Sequence, residues 1–147
     1  MKITILIVFN NNAGDINENV FNALSNCNNQ IQLCLINNGS EDTTLEKLQE
    51  LKNALEIYSA IIDIKQNKGN NAAVKAGERF LFNKNKSMYV VYVYASKLKL
   101  DRDLSALFNA TIMHKKHIMQ FFRENKINSP LCMIECLCKL EILPALV

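Results

Sequence analysis

Tryptophan is absent from this 147-residue chain, and proline and glycine are scarce, at 2 and 4 residues. So few punctuating residues leave no Pro- or Gly-rich linker, and the length suits one ordinary domain better than two. No apolar stretch approaches the ~20 residues that a membrane helix needs. The first apolar run, 3–9, is short and opens into a polar loop. It lacks the longer apolar core and small-residue cleavage site of a secretory signal. The chain is therefore expected to be soluble and cytoplasmic, with no membrane span. Nucleic acid is also disfavoured as a partner, because the net charge is only +3 and no basic stripe is interleaved with aromatics.

What is present has a globular balance, with 49% apolar and 21% charged residues. Charge is unevenly spread. Residues 1–62 carry 3 basic and 7 acidic side chains, against 14 and 7 in residues 63–147. The second half would welcome a phosphate-bearing ligand, although such lysines also simply solvate a surface. Five cysteines are an odd count, with Cys27 and Cys34 early and Cys132, Cys136 and Cys138 late. In a cytosolic setting they read as reduced thiols. The late spacing is not that of a zinc knuckle, and His114 and His117 fall on a predicted loop or helix end. No metal site is expected.

Hydrophobic periodicity alternates between strand and helix. The runs 3–9, 31–36, 57–65 and 88–94 are apolar and β-branched or aromatic, at strand length. Between them, apolar residues recur at helical spacing over 15–26, 41–55 and 71–82, with Asp15 and Ser40 placed as caps. Such alternation predicts an α/β fold, with a mostly parallel sheet flanked by helices. Residues 117–122 read as one more strand, and 129–147 as a strand followed by a terminal helix. Ligands of parallel sheets bind at the carboxyl ends of the strands. The first three such loops, starting at Asn10, Asn37 and Gln66, are rich in Asn, Gly or Ser.

Three segments in order sharpen this reading. The first strand ends in Phe9-Asn10. The second ends in Asn37-Asn38-Gly39-Ser40-Glu41-Asp42-Thr43. The third leads into Asn67-Lys68-Gly69-Asn70-Asn71-Ala72-Ala73-Val74-Lys75-Ala76-Gly77. Over residues 1–96 the series resembles the nucleotide-binding half of family 2 glycosyltransferases, which have the GT-A fold. The resemblance implies one GT-A-like domain over 1–147, with a nucleotide-binding half (1–96) and a short variable C-terminal region (97–147). It implies a nucleoside-diphosphate sugar as ligand, with Phe9, Asn10, Asn38, Ser40, Asp42, Asn67, Lys68 and Gly69 as its binding residues. Phe9 would flank the base and Asn38 would bond its edge, an amide being able to donate and accept. The Asn67–Gly69 loop would pass near the ribose and phosphates, with Lys68 as charge partner.

The resemblance stops at the chemical centre. The family carries Asp-x-Asp after its fourth strand, where the carboxylates hold a divalent cation that neutralises the diphosphate leaving group. Here the matching positions are Tyr94, Ala95 and Ser96. Asp101 and Asp103 fall later and read as a helix cap or first-turn acid. Lys97 and Lys99 could supply cationic charge in place of a metal. The expectation is therefore no bound metal or other cofactor, impaired or atypical metal-dependent catalysis, and no assignable catalytic residue. Glu135 and Glu141 are acids by type only. The apolar C-terminal segment suits self-association or a protein partner. A non-catalytic glycosyltransferase-like scaffold is accordingly the alternative. A flavodoxin-like phosphate binder is a third reading, but the loop at 9–15 lacks its Gly-rich character.

Overall fold

The structure is a computed structural model that describes residues 2–25, 31–55, 59–84 and 88–142. Cys27, residues 57–58 of the third predicted strand and residues 143–147 of the terminal helix lie outside the described residues. The strands are β1 (Lys2–Phe9), β2 (Ile31–Asn38), β3 (Ser59–Ile64), β4 (Met88–Tyr94) and β5 (Leu131–Cys132). The helices are α1 (Glu18–Ser25), α2 (Thr44–Ala54), α3 (Asn70–Lys84), α4 (Leu100–Met113), α5 (Lys115–Glu124) and α6 (Met133–Lys139). All five strands run parallel in the order β3-β2-β1-β4-β5, so the expected α/β class holds.

The sheet is buried on both faces, which is why its strands read as continuous apolar runs. Ile5 of β1 stands between Leu33 of β2 and Val91 of β4. With Ile3, Ile7 and Phe9 it faces a large cluster built with α1, α2, α4, α5 and α6. Leu6 and Val8 point the other way, with Cys34 and Ile36, into a cluster covered by α3. Ala73 and Gly77 of α3, four residues apart, are both buried. A Cβ added at Gly77 would lie 2.3 Å from Leu6 Cδ1 and 2.9 Å from Ile36 Cδ1, so the helix packs on the sheet here with no room for a side chain.

The connection from β4 to β5 has an unusual course. It runs on the face of α1 and α2, yet crosses the sheet in the opposite direction to the β1–β2 and β2–β3 connections. Its hand is therefore opposite to that of the other three crossovers, which share one hand, as parallel units almost always do. Packing of α4 against α1 accounts for it, since Leu104, Leu107 and Phe108 join the same cluster as Val20 and Leu24.

Several local expectations are corrected. Residues 117–122 belong to α5, not to a strand. Ile118 and Phe122, four apart, form its buried stripe, while Lys116, Gln120 and Arg123 are exposed. Helix α2 begins at Thr44, so Ser40 is not its cap. Helix α1 begins at Glu18. Asn17 Oδ1 accepts the Val20 N–H at 3.1 Å and does the capping expected of Asp15. Asp103, not Asp101, serves the start of α4: its Oδ2 accepts the Lys99 N–H at 3.0 Å. Among the described residues, no helix is long and apolar enough to cross a membrane.

Candidate functional site

In this strand order the chain moves one way from β1 to β3 and then returns past β1 to β4. The topological switch point lies between β1 and β4, and the crevice for a ligand lies outside the carboxyl ends of these strands. The loops after β1, β2 and β3 meet here, and hydrogen bonds join them. Asn10 Nδ2 donates to the Asn38 carbonyl at 2.6 Å. The Asn11 N–H donates to Ser40 Oγ at 3.0 Å, and Asn11 Oδ1 accepts the Glu41 N–H at 2.8 Å. Asn11 sits at φ 52°, in the left-handed region that asparagine tolerates better than most residues. The buried Asn12 donates its N–H to Thr44 Oγ1 at 2.9 Å.

Asp42 ties the same two loops. One oxygen accepts the Ala13 N–H at 3.2 Å. The other accepts the Thr44 N–H at 3.0 Å and the Thr44 hydroxyl. These bonds, the Thr44 hydroxyl foremost, hold its carboxyl below the ordinary aspartate range. Ser40 and Asp42 are thus brought to the site as loop ties. Asn11, Asn12 and Thr44 were not singled out from sequence, although the Asn-Asn-Asn run straight after a strand was the available signal.

The third loop closes over the second. The Gly39 N–H donates to the Ile64 carbonyl at 2.8 Å. Gly39 has φ +63°, and a Cβ there would lie 2.3 Å from the Asn67 backbone nitrogen. Asn67 Oδ1 accepts the Gly69 N–H at 2.8 Å. Asn38 Nδ2 donates to that same Oδ1 at 3.3 Å and to the Gly69 carbonyl at 3.5 Å. Because the Gly69 N–H requires an acceptor on Asn67, and both neighbours of Asn38 are acceptors, the Asn38 amide orientation follows from the network. Its oxygen then has no partner, although the residue is only 1% exposed. An orphaned buried acceptor costs about 1–3 kcal/mol.

Asn37, on the other face of β2, is in a parallel position. Its Nδ2 donates to Asp63 Oδ1 at 2.9 Å and its oxygen is also unpartnered. Lys65 pairs with the second oxygen of Asp63, and together with Asn37 it lowers the Asp63 pKa.

Of the residues expected to bind nucleotide, Asn10, Asn38, Ser40, Asp42, Asn67 and Gly69 are assembled in one connected network. Lys68 is exposed on the same loop. Phe9 is different. It is fully buried on the opposite face, among Ile7 and the helix α1 side chains, and is a core residue with no ring face open to a base.

At the carboxyl end of β4, Tyr94 pairs in register with Val8 of β1 and is half-buried beside Tyr92, with ring centroids 5.4 Å apart. Burial, with Tyr94 alongside, pushes the Tyr92 phenol up to about 12. Ala95 is buried, while Ser96, Lys97 and Lys99 are exposed. Asp103 is nearly buried; desolvation raises its pKa, and Arg102 together with the Lys99 N–H and charge outweighs it, for a net lowering. It is thus engaged with its own helix start, not with the crevice. Among the described residues, no group of three or more His, Cys, Asp and Glu side chains is placed to hold a metal ion.

No family model and no curated protein matches this sequence. Among solved structures, the chain is similar to the crystal structure of S. aureus TarS 1–349, at 15% identity and a TM-score of 0.47. The match covers 78% of this chain and 33% of that one, so this chain spans about a third of its length.

Proposed function

We propose that the loops at the carboxyl ends of β1, β2 and β3 bind a nucleoside-diphosphate sugar, in a glycosyltransferase-like protein without the usual metal-dependent centre. The observation that carries this reading is the buried Asn38 oxygen without a partner, set at the end of a central parallel strand. Its amide bonds to Asn67 and Gly69, at 3.3 and 3.5 Å, are long and exchangeable. With the Asn67–Gly69 loop drawn off the Asn38 side chain, which it covers in this structure, a base edge with adjacent donor and acceptor, as in uracil, would satisfy the oxygen and take over the amide hydrogens. The resemblance of three segments, in order, to those of family 2 glycosyltransferases supports the same ligand class. The Asn67–Gly69 loop and Lys68 would then lie along the ribose and diphosphate. With Tyr94, Ala95 and Ser96 at the cation positions, neither ionised oxygen ligands nor a tight Mg²⁺ or Mn²⁺ site is expected. The exposed Lys97 and Lys99 would offer charge to the leaving group.

Titration calorimetry with UDP, GDP and their sugars, with and without Mn²⁺, tests this. Metal-independent binding of one nucleotide, lost in Asn38→Ala, is the expected result. Binding that strengthens with Mn²⁺ would restore a metal-dependent transferase. No binding by the folded protein would sink the nucleotide reading and leave the alternative, a non-catalytic scaffold. Half-buried Ile134, Leu140 and Ile142 near the end of the described chain are where such a scaffold would meet a partner.

A further inference from the structure

Asn38 and Gly39 form the one Asn-Gly pair in the chain. Asparagine is thermally labile, and most so before glycine, where no Cβ hinders ring closure onto the next backbone nitrogen. The Gly39 nitrogen, once it gives up its proton, can attack Asn38 Cγ. A bond forms between that nitrogen and Cγ, the Cγ–Nδ2 bond breaks, and Nδ2 leaves as ammonia with the proton that the nitrogen gave up. Water then opens the cyclic imide at either carbonyl, its hydroxyl going to the carbon and its proton to the nitrogen. The product is aspartate or isoaspartate, and water is the only co-reactant.

The fold holds this reaction back. The nitrogen that must attack is engaged, since the Gly39 N–H donates to the Ile64 carbonyl at 2.8 Å. The group that must leave is engaged too, since Asn38 Nδ2 donates to Asn67 Oδ1 and to the Gly69 carbonyl. The Asn38 side chain is only 1% exposed, which keeps water from the imide carbon.

The same contacts make the product disruptive. A carboxylate at position 38 has no hydrogen to donate, yet it would face two acceptors from a buried position. Asn67 Oδ1 cannot turn away to relieve this without giving up the Gly69 N–H, which it accepts at 2.8 Å. Isoaspartate adds a backbone methylene at the end of β2 and moves the Gly39 N–H off the Ile64 carbonyl. Either product sets the loop at 67–69 free of the second loop.

We propose that Asn38-Gly39 is a deamidation site held off by the fold, and that its conversion releases the Asn67–Gly69 loop. The inference holds whatever ligand the loops bind.

Ageing of the native protein and of the protein unfolded in guanidinium, at mildly alkaline pH, tests it. Peptide mapping that separates aspartate from isoaspartate reads Asn38 against Asn128, which is exposed and precedes Ser129. In the unfolded chain Asn38 should convert first. In the native protein the order should reverse, with Asn38 slowed at least about fivefold, the worth of one backbone hydrogen bond. Asn38→Asp, the counterpart of one product, should be cut by trypsin after the exposed Lys68 at least about fivefold faster than wild type. Wild type aged unfolded and then refolded gives the same readout without relying on that variant to fold: cleavage after Lys68 should rise with the converted fraction. The proposal is overturned if Asn38 converts as fast in the native protein as in the unfolded chain, or if Asn128 precedes it in the unfolded chain. Cleavage after Lys68 that is unchanged in Asn38→Asp and in the aged protein also overturns it.

Discussion

Helix α3 carries the loop that closes on Asn38, and Gly77 sets how closely that helix lies on the sheet. Replacing Gly77 with Ala has two opposed effects. In a helix interior the change stabilises by about 1 kcal/mol, through backbone entropy. Against this, the new methyl would stand 2.3 Å from Leu6 Cδ1, 3.3 Å from Leu6 Cγ and 2.9 Å from Ile36 Cδ1. Relief needs either a new Leu6 rotamer or outward movement of α3 by about 1 Å, and overpacking of this kind costs about 1–3 kcal/mol. Net destabilisation of about 1 kcal/mol is expected, or a fall in Tm of about 3 °C for a chain of this size. Because helix and loop move together, the Asn38 contacts should loosen as well. Urea unfolding of wild type, Gly77→Ala, Leu6→Val and the double variant would measure it. Leu6→Val removes the clashing atom, so the double variant should be more stable than the two single changes predict, by about 1 kcal/mol. Strict additivity, or a Gly77→Ala protein stabilised by the full helix propensity, would refute this account of α3 seating.

Gly39→Ala should cost more, about 2–4 kcal/mol in urea unfolding, since it combines left-handed strain with a backbone contact at 2.3 Å that no rotamer can relieve. Asp42, Asp63 and Asp103 all have pKa values lowered in the fold, from an ordinary 3.8. The unfolded chain therefore takes up protons first: their stabilisation is complete above about pH 4–5 and is lost as pH falls through the lower folded values. Urea midpoints should decline below about pH 4, and less steeply in Asp103→Asn; a decline confined to alkaline pH would contradict the assignment. Cys34 and Cys136 are buried, with thiols pushed up to about 12 and about 11. Alkylation of the native protein at about pH 8, followed by peptide mapping, should label them more slowly than the half-buried Cys132 and Cys138, because burial limits both access and the thiolate that reacts. Equal labelling would mean that α6 is not seated as described.

Four strands and the first three long helices were legible in the chain because each repeats one pattern over enough residues to outweigh local noise. Continuous β-branched runs announced strands covered on both faces. Of the small residues in the third motif, Ala73 and Gly77 are buried where α3 lies on the sheet, while Gly69 is exposed ahead of the helix. Where the sequence misled, the competing signals were short. Residues 117–122 combine strand-forming residue types with helical spacing, and what buries Ile118 and Phe122 is a core cluster assembled from distant elements, with Phe122 against Tyr89 of β4. Ser40 looked like a cap because capping chemistry is read locally, whereas its actual partner is Asn11, 29 residues away.

The residue types at the ends of the strands, and their order, belong to the sequence alone; their resemblance to family 2 glycosyltransferases is what raised the expectation of a nucleotide ligand without a tight cation site. Tertiary structure decided where those residues stand. Strand alternation turned Phe9 into the core and Asn10 toward the loops, since neighbours in a strand point to opposite faces. The long-range network turned Ser40 and Asp42 into ties between loops. It also left the Asn38 oxygen buried without a partner, because both groups within reach of that side chain are themselves acceptors.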